Sequence, residues 1–312
     1  MTIDWQARLE TFLAIREALG LVSRPARILL QDFISHIESH HIPVPVPAQV
    51  IVEWATSSRG ASGHCARLSL ARLFLEHVRA FVPETIVPPK GLLATRRRPH
   101  PYLFAPEDIR RLMESPITIR PHYTLRPYLV RTLVGLLAST GIRIGEALNL
   151  RVEDVSLDST PPFLHIRNAK FHKSRYVPLH PTVAVQLSEY ASIREAFGYA
   201  ALSEMFFMSE QGTALTHTSL QRTFSRLCQR LGISPINGHH PTLHSFRHTF
   251  AVQCLVSWSE RGDDIHARLP NLAVYLGHLN PQETYWYLTA TPQLLNPASL
   301  AFQRFAGQGD DL

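Results

Sequence analysis

Apolar residues recur at helical spacing through the first eighty positions. In 4–20 the run Trp5, Leu9, Phe12, Leu13 and Ile15 predicts an amphipathic helix. Further helical segments are expected over about 25–40, over 47–58, opened by Pro47, and over about 64–81. Breaks fall at Gly20, at the alternating IPVPVP of 42–47 and at SSRGASG, 57–63. The pattern reads as a small helical bundle, residues 1–84. Residues 85–103 then hold Pro88, Pro89, Pro99 and Pro101 and the basic run Arg96, Arg97, Arg98, and proline at that density argues for a linker. A new helix starts at Pro106, whose neighbours Glu107 and Asp108 suit a helix N-terminus. Residues 124–140 are apolar enough for a buried helix, which Gly141 ends. The β-like runs FLHIRN (163–168) and SRYVPL (174–179), joined by AKFHK, predict a hairpin. From about Pro181 onward the pattern is again mainly helical. The expected fold is therefore mainly α with a small β-sheet, in two domains, 1–84 and 104–305, with a loose tail at 306–312.

Composition narrows the function. A formal net charge of +6 points toward a polyanionic partner. Of 31 basic residues only Lys90, Lys170 and Lys173 are lysine. Two of these three sit on the hairpin turn, and near neutral pH a lysine can give up a proton where an arginine cannot. The three cysteines are scattered, with no CxxC pair, which suits a reducing cytosol better than disulfides or a zinc site. No stretch nears the ~20 apolar residues that span a bilayer, and the N-terminus lacks a signal-peptide layout. A cytoplasmic location follows as an expectation.

Four local patterns carry candidate chemistry. In STGIRIGEALNLRVEDV (139–155), Arg143 follows a helix-ending glycine and precedes a new helix, so it can project into a cleft, with Glu146 one turn on to orient it. Taken alone this is an ordinary i, i+3 surface pair. The hairpin NAKFHKSRYVPL supplies Lys170, Lys173 and Arg175 at an exposed tip. In PTLHSFRHTFAVQCL (241–255), Thr242 can cap a helix on which His244 and Arg247 share a face. His248 pairs with His244 at i, i+4, but Ser245 stands where a zinc protease of the HExxH type needs glutamate, so no metal is expected. In AVYLGHLNPQETYWYLTATP (273–292), His278 closes one helix. Tyr285 and Tyr287 begin the next on different faces, so only one can share a cleft with His278.

In this order the four resemble the tyrosine recombinase, or phage integrase, family. Its signatures stand here as TGIRIGEAL, the K..K.R.VPL hairpin, HSFRHTFA, LGH and a tyrosine nine residues past that histidine. The resemblance spans about 100–295 closely, and the N-terminal bundle is similar in size and character to the family's SAM-like core-binding domain. It implies the catalytic set Arg143, Lys170, His244, Arg247, His278 and Tyr287, with Thr284 completing a T-x-x-Y pattern. The stretch SWSERGDDIHARLPN departs from the family in being several residues longer than usual.

The implied chemistry fits the residue types. Phosphodiester transfer builds charge on non-bridging oxygens, which planar arginines bind in fork geometry. A tyrosine phenol, with an ordinary pKa of about 10, needs a base, for which the resemblance implies His244; Lys170 would protonate the leaving 5′ oxygen. The 3′-phosphotyrosine stores the energy of the broken bond, so no cofactor is called for. The expected partner is double-stranded DNA, held in a C-shaped clamp with Arg96, Arg97, Arg98, Lys173 and Arg175 along the backbone. Family members act as tetramers on two DNA sites, some with a partner recombinase, and their C-terminal segment docks on a neighbouring protomer, a role that LLNPASLAFQRF (294–305) could fill. The expected activity is site-specific recombination for a mobile element. The rival readings are DNA relaxation of the type IB topoisomerase kind and a non-catalytic DNA-binding accessory protein.

Overall fold

Asp4 opens the first helix by accepting the Ala7 N–H at 2.9 Å, one of the donors a helix N-terminus leaves unpaired. A computed structural model of the chain describes residues 3–290 except 22, 59–60, 94–99, 116–123, 170–172, 199–202, 237, 279 and 281. The chain divides into two compact units, Met1–Pro99 and His100–Leu312. The first contains α1 (Trp5–Ala18), α2 (Arg24–Ser39), α3 (Ala48–Thr56) and α4 (Ala61–Arg79). Its core gathers Leu9, Leu30, Phe33, Ile51, Trp54 and Phe74. Ile15, at the edge of the apolar stripe, faces out instead. Trp54 donates its indole N–H to Asp32 at 2.9 Å, and Arg67 lies over the Trp54 ring while bonding the same carboxylate, which joins α2, α3 and α4. Of the residues read as linker, Val87 and Leu93 pack on this core, while Tyr102 belongs to the second. Arg96, Arg97 and Arg98 lie outside the described residues.

The second unit begins by docking on one of its own later helices. The Phe104 N–H donates to Thr249 Oγ1 at 3.0 Å, and the Phe104 ring stacks on Phe246 at 4.5 Å. Then come α5 (Pro106–Glu114), α6 (Arg126–Thr140) and the single turn α7 (Ile144–Leu148). Three antiparallel strands follow, β1 (Val155–Ser156), β2 (Phe163–Ala169) and β3 (Lys173–Pro178), in the order β1-β2-β3. The expected hairpin thus gains a short third strand. Leu164 pairs with Val177, and the register shifts between Ile166 and Ala169. Helices α8 (Pro181–Ala196), α9 (His217–Arg230), α10 (Ser245–Glu260), α11 (Ile265–Leu276) and α12 (Gln282–Ala290) complete the described unit. The longer SWSERGDDIHARLPN stretch forms the end of α10, a turn and the start of α11; Arg261 and Arg268 both pair with Asp263, and Asp264 caps α11.

Two glycines shape the site. Gly141 ends α6 at φ +62°, and a Cβ there would stand 2.5 Å from Phe250 Cδ1. Gly277 ends α11 at φ +69°, with the Arg175 guanidinium 2.9 Å from where its Cβ would be. Both need the left-handed backbone and the missing side chain together. Leu255, Leu269, Leu272, Leu276 and Tyr287 form a separate core among α10, α11 and α12. No helix among the described residues is long and apolar enough to cross a membrane. The 294–305 and 306–312 segments lie outside the described residues.

Candidate active site

The end of α11 organises the site. A helix leaves its last carbonyls without intrahelical donors and carries partial negative charge there. Three arginines from distant parts of the chain meet that need. Arg175 Nε donates to Tyr275 O at 2.8 Å. Arg247 Nη2 donates to Leu276 O at 2.6 Å, and Arg143 Nη2 to Gly277 O at 3.0 Å. Arg247 also reaches Gly141 O, at 3.0 Å, so it braces the ends of α6 and α11 together.

Glu146 is the counter-charge. Its side chain is 8% exposed and accepts from Arg143 Nη1 at 3.0 Å and from the Arg175 fork at 3.0 and 2.8 Å. It also accepts the Arg143 backbone N–H at 3.0 Å, which starts α7. Burial alone would raise its carboxyl pKa; the hydrogen bonds and charges of Arg175 and Arg143 outweigh that and hold it below the ordinary value. Burial, with Arg143 adding repulsion, brings the Arg247 guanidinium down to about 10, so it stays charged at neutral pH. Three guanidinium groups thus meet one carboxylate, leaving a surplus of positive charge suited to an oxyanion.

The aromatic side of the site comes from α10 and α12. Tyr287 is 1% exposed, and its phenol oxygen lies 3.0 Å from His248 Nδ1. Its ring stacks with His278 at 6.4 Å between centroids and meets Trp286 edge-on at 5.3 Å. His278 Nδ1 is 2.7 Å from Thr284 Oγ1, and Thr284 is fully buried. Tyr285, two residues before Tyr287, turns outward at 40% exposure beside His266. The strand alternation of β3 explains Arg175: it shares a face with core Val177, while Tyr176 between them is 65% exposed.

The structure therefore brings Arg143, Glu146, Arg247, His278 and Tyr287 together. His244 stands at the exposed N-cap of α10, its ring 4.6 Å from that of His248. Thr242 does not cap that helix. The turn after Pro241 runs on to His244, and Ser245 Oγ accepts the Thr242 N–H at 3.1 Å. Lys170 lies outside the described residues; the Lys173 backbone pairs with Ala169 in the hairpin, and its side chain lies outside them. Arg175, expected along DNA with the hairpin, turns inward to Glu146. Two residues take places that the sequence reading did not give them: Arg175, read as lying along DNA, whose inward face the period-two pattern of SRYVPL would have revealed, and His248, set aside with the metal reading. Among the described residues no His, Cys, Asp and Glu cluster could hold a metal ion.

With the geometry in hand, comparison with known proteins is direct. Residues 103–293 match the phage integrase family. The integrase/recombinase y4rB of Sinorhizobium fredii is 37% identical over 303 residues, covering 95% of this chain and 96% of that protein. The tyrosine recombinase XerC of Vibrio vulnificus is 29% identical over 273 residues, covering 83% and 77%. The fold is shared with XerH site-specific recombinase bound to palindromic difH substrate (TM-score 0.67, 18% identity, 89% and 78% covered). It is shared too with the Tn1549 transposon integrase in complex with transposon right end DNA (TM-score 0.66, 15% identity, 96% and 99% covered). The chain belongs to the phage integrase family: it is a tyrosine recombinase, an enzyme of site-specific DNA breakage and rejoining.

Proposed function

We propose that Tyr287 is the nucleophile of this recombinase and that Arg143, Arg247 and His278 stabilise the phosphorane-like charge that develops as it attacks. The observation that carries this reading is the meeting, at the end of α11, of a buried tyrosine, two histidines and a surplus of guanidinium charge. Tyr287 gives its phenol proton to a neighbouring base and forms a bond to phosphorus; the phosphorus–O5′ bond breaks, and the leaving oxygen takes a proton from Lys170. A 5′ hydroxyl from a second strand then reverses these steps and completes the exchange. Preorganised charge aimed at a developing oxyanion supplies much of the rate acceleration in reactions of this kind.

The substrate is duplex DNA. The surplus of arginine over acidic charge in the chain suits binding to its phosphates. A tetramer on two DNA sites is the working assembly, as the solved λ integrase tetramer bound to a Holliday junction suggests by its own composition. The biological task is movement of a mobile element, supported by the integrase/recombinase relative and the transposon integrase neighbour.

The test is a covalent trap. The full chain is incubated with nicked duplexes from around its own gene and run on a denaturing gel. A DNA-linked band that survives Tyr285→Phe and disappears in Tyr287→Phe is expected. A band lost in Tyr285→Phe and kept in Tyr287→Phe would assign the chemistry to the other tyrosine.

A further inference from the structure

His248 follows Arg247 on α10 and stands one helical turn beyond His244. Its position differs from that of His244 in two ways. His244 is at the solvent-exposed helix start, whereas His248 is half-buried with its ring 5.6 Å from Tyr287 and 5.7 Å from Trp286. And it is the Nδ1 of His248 that lies 3.0 Å from the Tyr287 phenol oxygen, within hydrogen-bond reach of the one proton this reaction must remove. Tyr287 is 1% exposed, so water has little access to that hydroxyl, and a buried hydroxyl is held by the partner it has.

We infer that His248 is a further catalytic residue: it takes the proton from Tyr287 directly and fixes the direction in which the phenol points, with His244 acting behind it. This rests on Tyr287 being the nucleophile. In the step, the Tyr287 O–H bond breaks and its proton bonds to His248 Nδ1. The freed oxygen pair forms the bond to phosphorus, and the electrons of the phosphorus–O5′ bond leave with the 5′ oxygen. For Nδ1 to accept, His248 must be neutral with its own proton on Nε2, a tautomer that leaves Nε2–H as the outlet for charge. An imidazole is a weaker base than a phenolate, so the transfer is completed only as the bond to phosphorus forms, which is general base catalysis. Among the described residues, the ionisable groups near the pair include His244 and Arg247 from α10 itself, His278 from the end of α11, and Glu283 from α12, whose carboxylate is 3.9 Å from His278. Arg247 lies near enough to Tyr287 for their charges to interact, so it would steady the phenolate as the proton departs.

The experiment measures single-turnover formation of the covalent complex on nicked duplex as a function of pH, for the parent chain, His248→Ala, His248→Asn and His244→Ala. Loss of a general base costs on the order of 10²-fold or more, and that drop is expected in His248→Ala. Asparagine places an acceptor oxygen where Nδ1 stood but cannot titrate. His248→Asn should therefore recover part of the rate and lose the acid limb of the pH profile, while His244→Ala keeps that limb. His248→Ala cleaving within about threefold of the parent with an unchanged profile would overturn the assignment. A second arm needs no DNA: the ¹⁵N resonance of His248 Nδ1 in the free protein is expected to shift in Tyr287→Phe, and an unchanged resonance would mean that the contact does not exist. A parent chain that forms no Tyr287-linked complex would overturn the nucleophile reading instead, and the resonance arm would still decide the His248 contact.

Discussion

Replacing Glu146 with glutamine tests the charge arrangement at its centre. Glutamine has the same shape, so packing is kept, but one carboxylate oxygen becomes an NH₂ group. The carboxylate takes four N–H donors, one from the Arg143 backbone, one from its guanidinium and two from Arg175. The amide keeps one acceptor and aims two donors at guanidinium groups that are themselves donors. Hydrogen bonds to charged groups contribute roughly 1.5–3 kcal/mol each, and unpairing a buried ion pair costs about 3–5 kcal/mol. A loss of about 3 kcal/mol is expected, because part of the network survives. For a unit of this size, each kcal/mol moves the melting midpoint by roughly 2–4 °C. Calorimetry of the full chain should thus show the second unit melting roughly 6–12 °C lower in Glu146→Gln. The sign with pH follows from the depressed carboxyl. Its stabilisation is fully present above the unfolded glutamate value of about 4.3 and is lost as pH falls from there through the folded value. The gap between parent and variant should be constant from neutral pH to about 5 and then close on further acidification. A midpoint within about 1 °C of the parent at neutral pH, or a gap that does not close in acid, would refute the account of Glu146 as the charge that holds Arg143 and Arg175.

Three further outcomes follow from the same geometry. Gly277→Ala forces φ +69° on an L side chain and sets its Cβ 2.9 Å from Arg175 Nη1 and 3.5 Å from Arg143 Nη1; a stability loss of about 1–2 kcal/mol by urea titration is expected, with weaker cleavage because both guanidinium groups must shift. Arg247→Lys cannot bridge Gly141 O and Leu276 O at once, and the covalent-trap rate should fall by about 10²–10³ with DNA binding retained in a gel-shift assay. In the parent, cleavage should fall as pH rises through about 10, where Arg247 loses its charge. Thr284→Val removes the hydroxyl 2.7 Å from His278 Nδ1; a net hydrogen-bond loss of about 1 kcal/mol predicts a rate decrease of up to about tenfold in the same assay.

Much of this could be read from the chain because its signals are local. Gly141 and the apolar run before it mark the end of α6, and the new helix after Arg143 follows within a few residues of sequence. The spacing of Tyr285 and Tyr287 separates their faces in the same way. What stayed hidden depends on contacts between distant segments. Nothing near Arg175 says that its partners are Glu146 and the Tyr275 carbonyl, 29 and 100 residues away. Nor does the His244–His248 spacing say which imidazole meets a phenol on another helix. The Thr242 cap failed for a reason that is local but subtle: Ser245 supplies its own oxygen to the turn, and the helix starts two residues later, after His244.

The arginine brace at the end of α11 also bears on how the enzyme comes into being. Arg143 meets Gly277 across 134 residues, and Arg247 meets Gly141 across 106. Contacts of such separation carry a large loop-closure cost and form late, after local helices have settled. Tyr287 is therefore set in place only once α11 has docked and the chain has folded through nearly its whole second unit. A nascent or partly unfolded copy carries Tyr287 without its electrostatic frame. For an enzyme that breaks DNA, competence to cut thus reports completed folding.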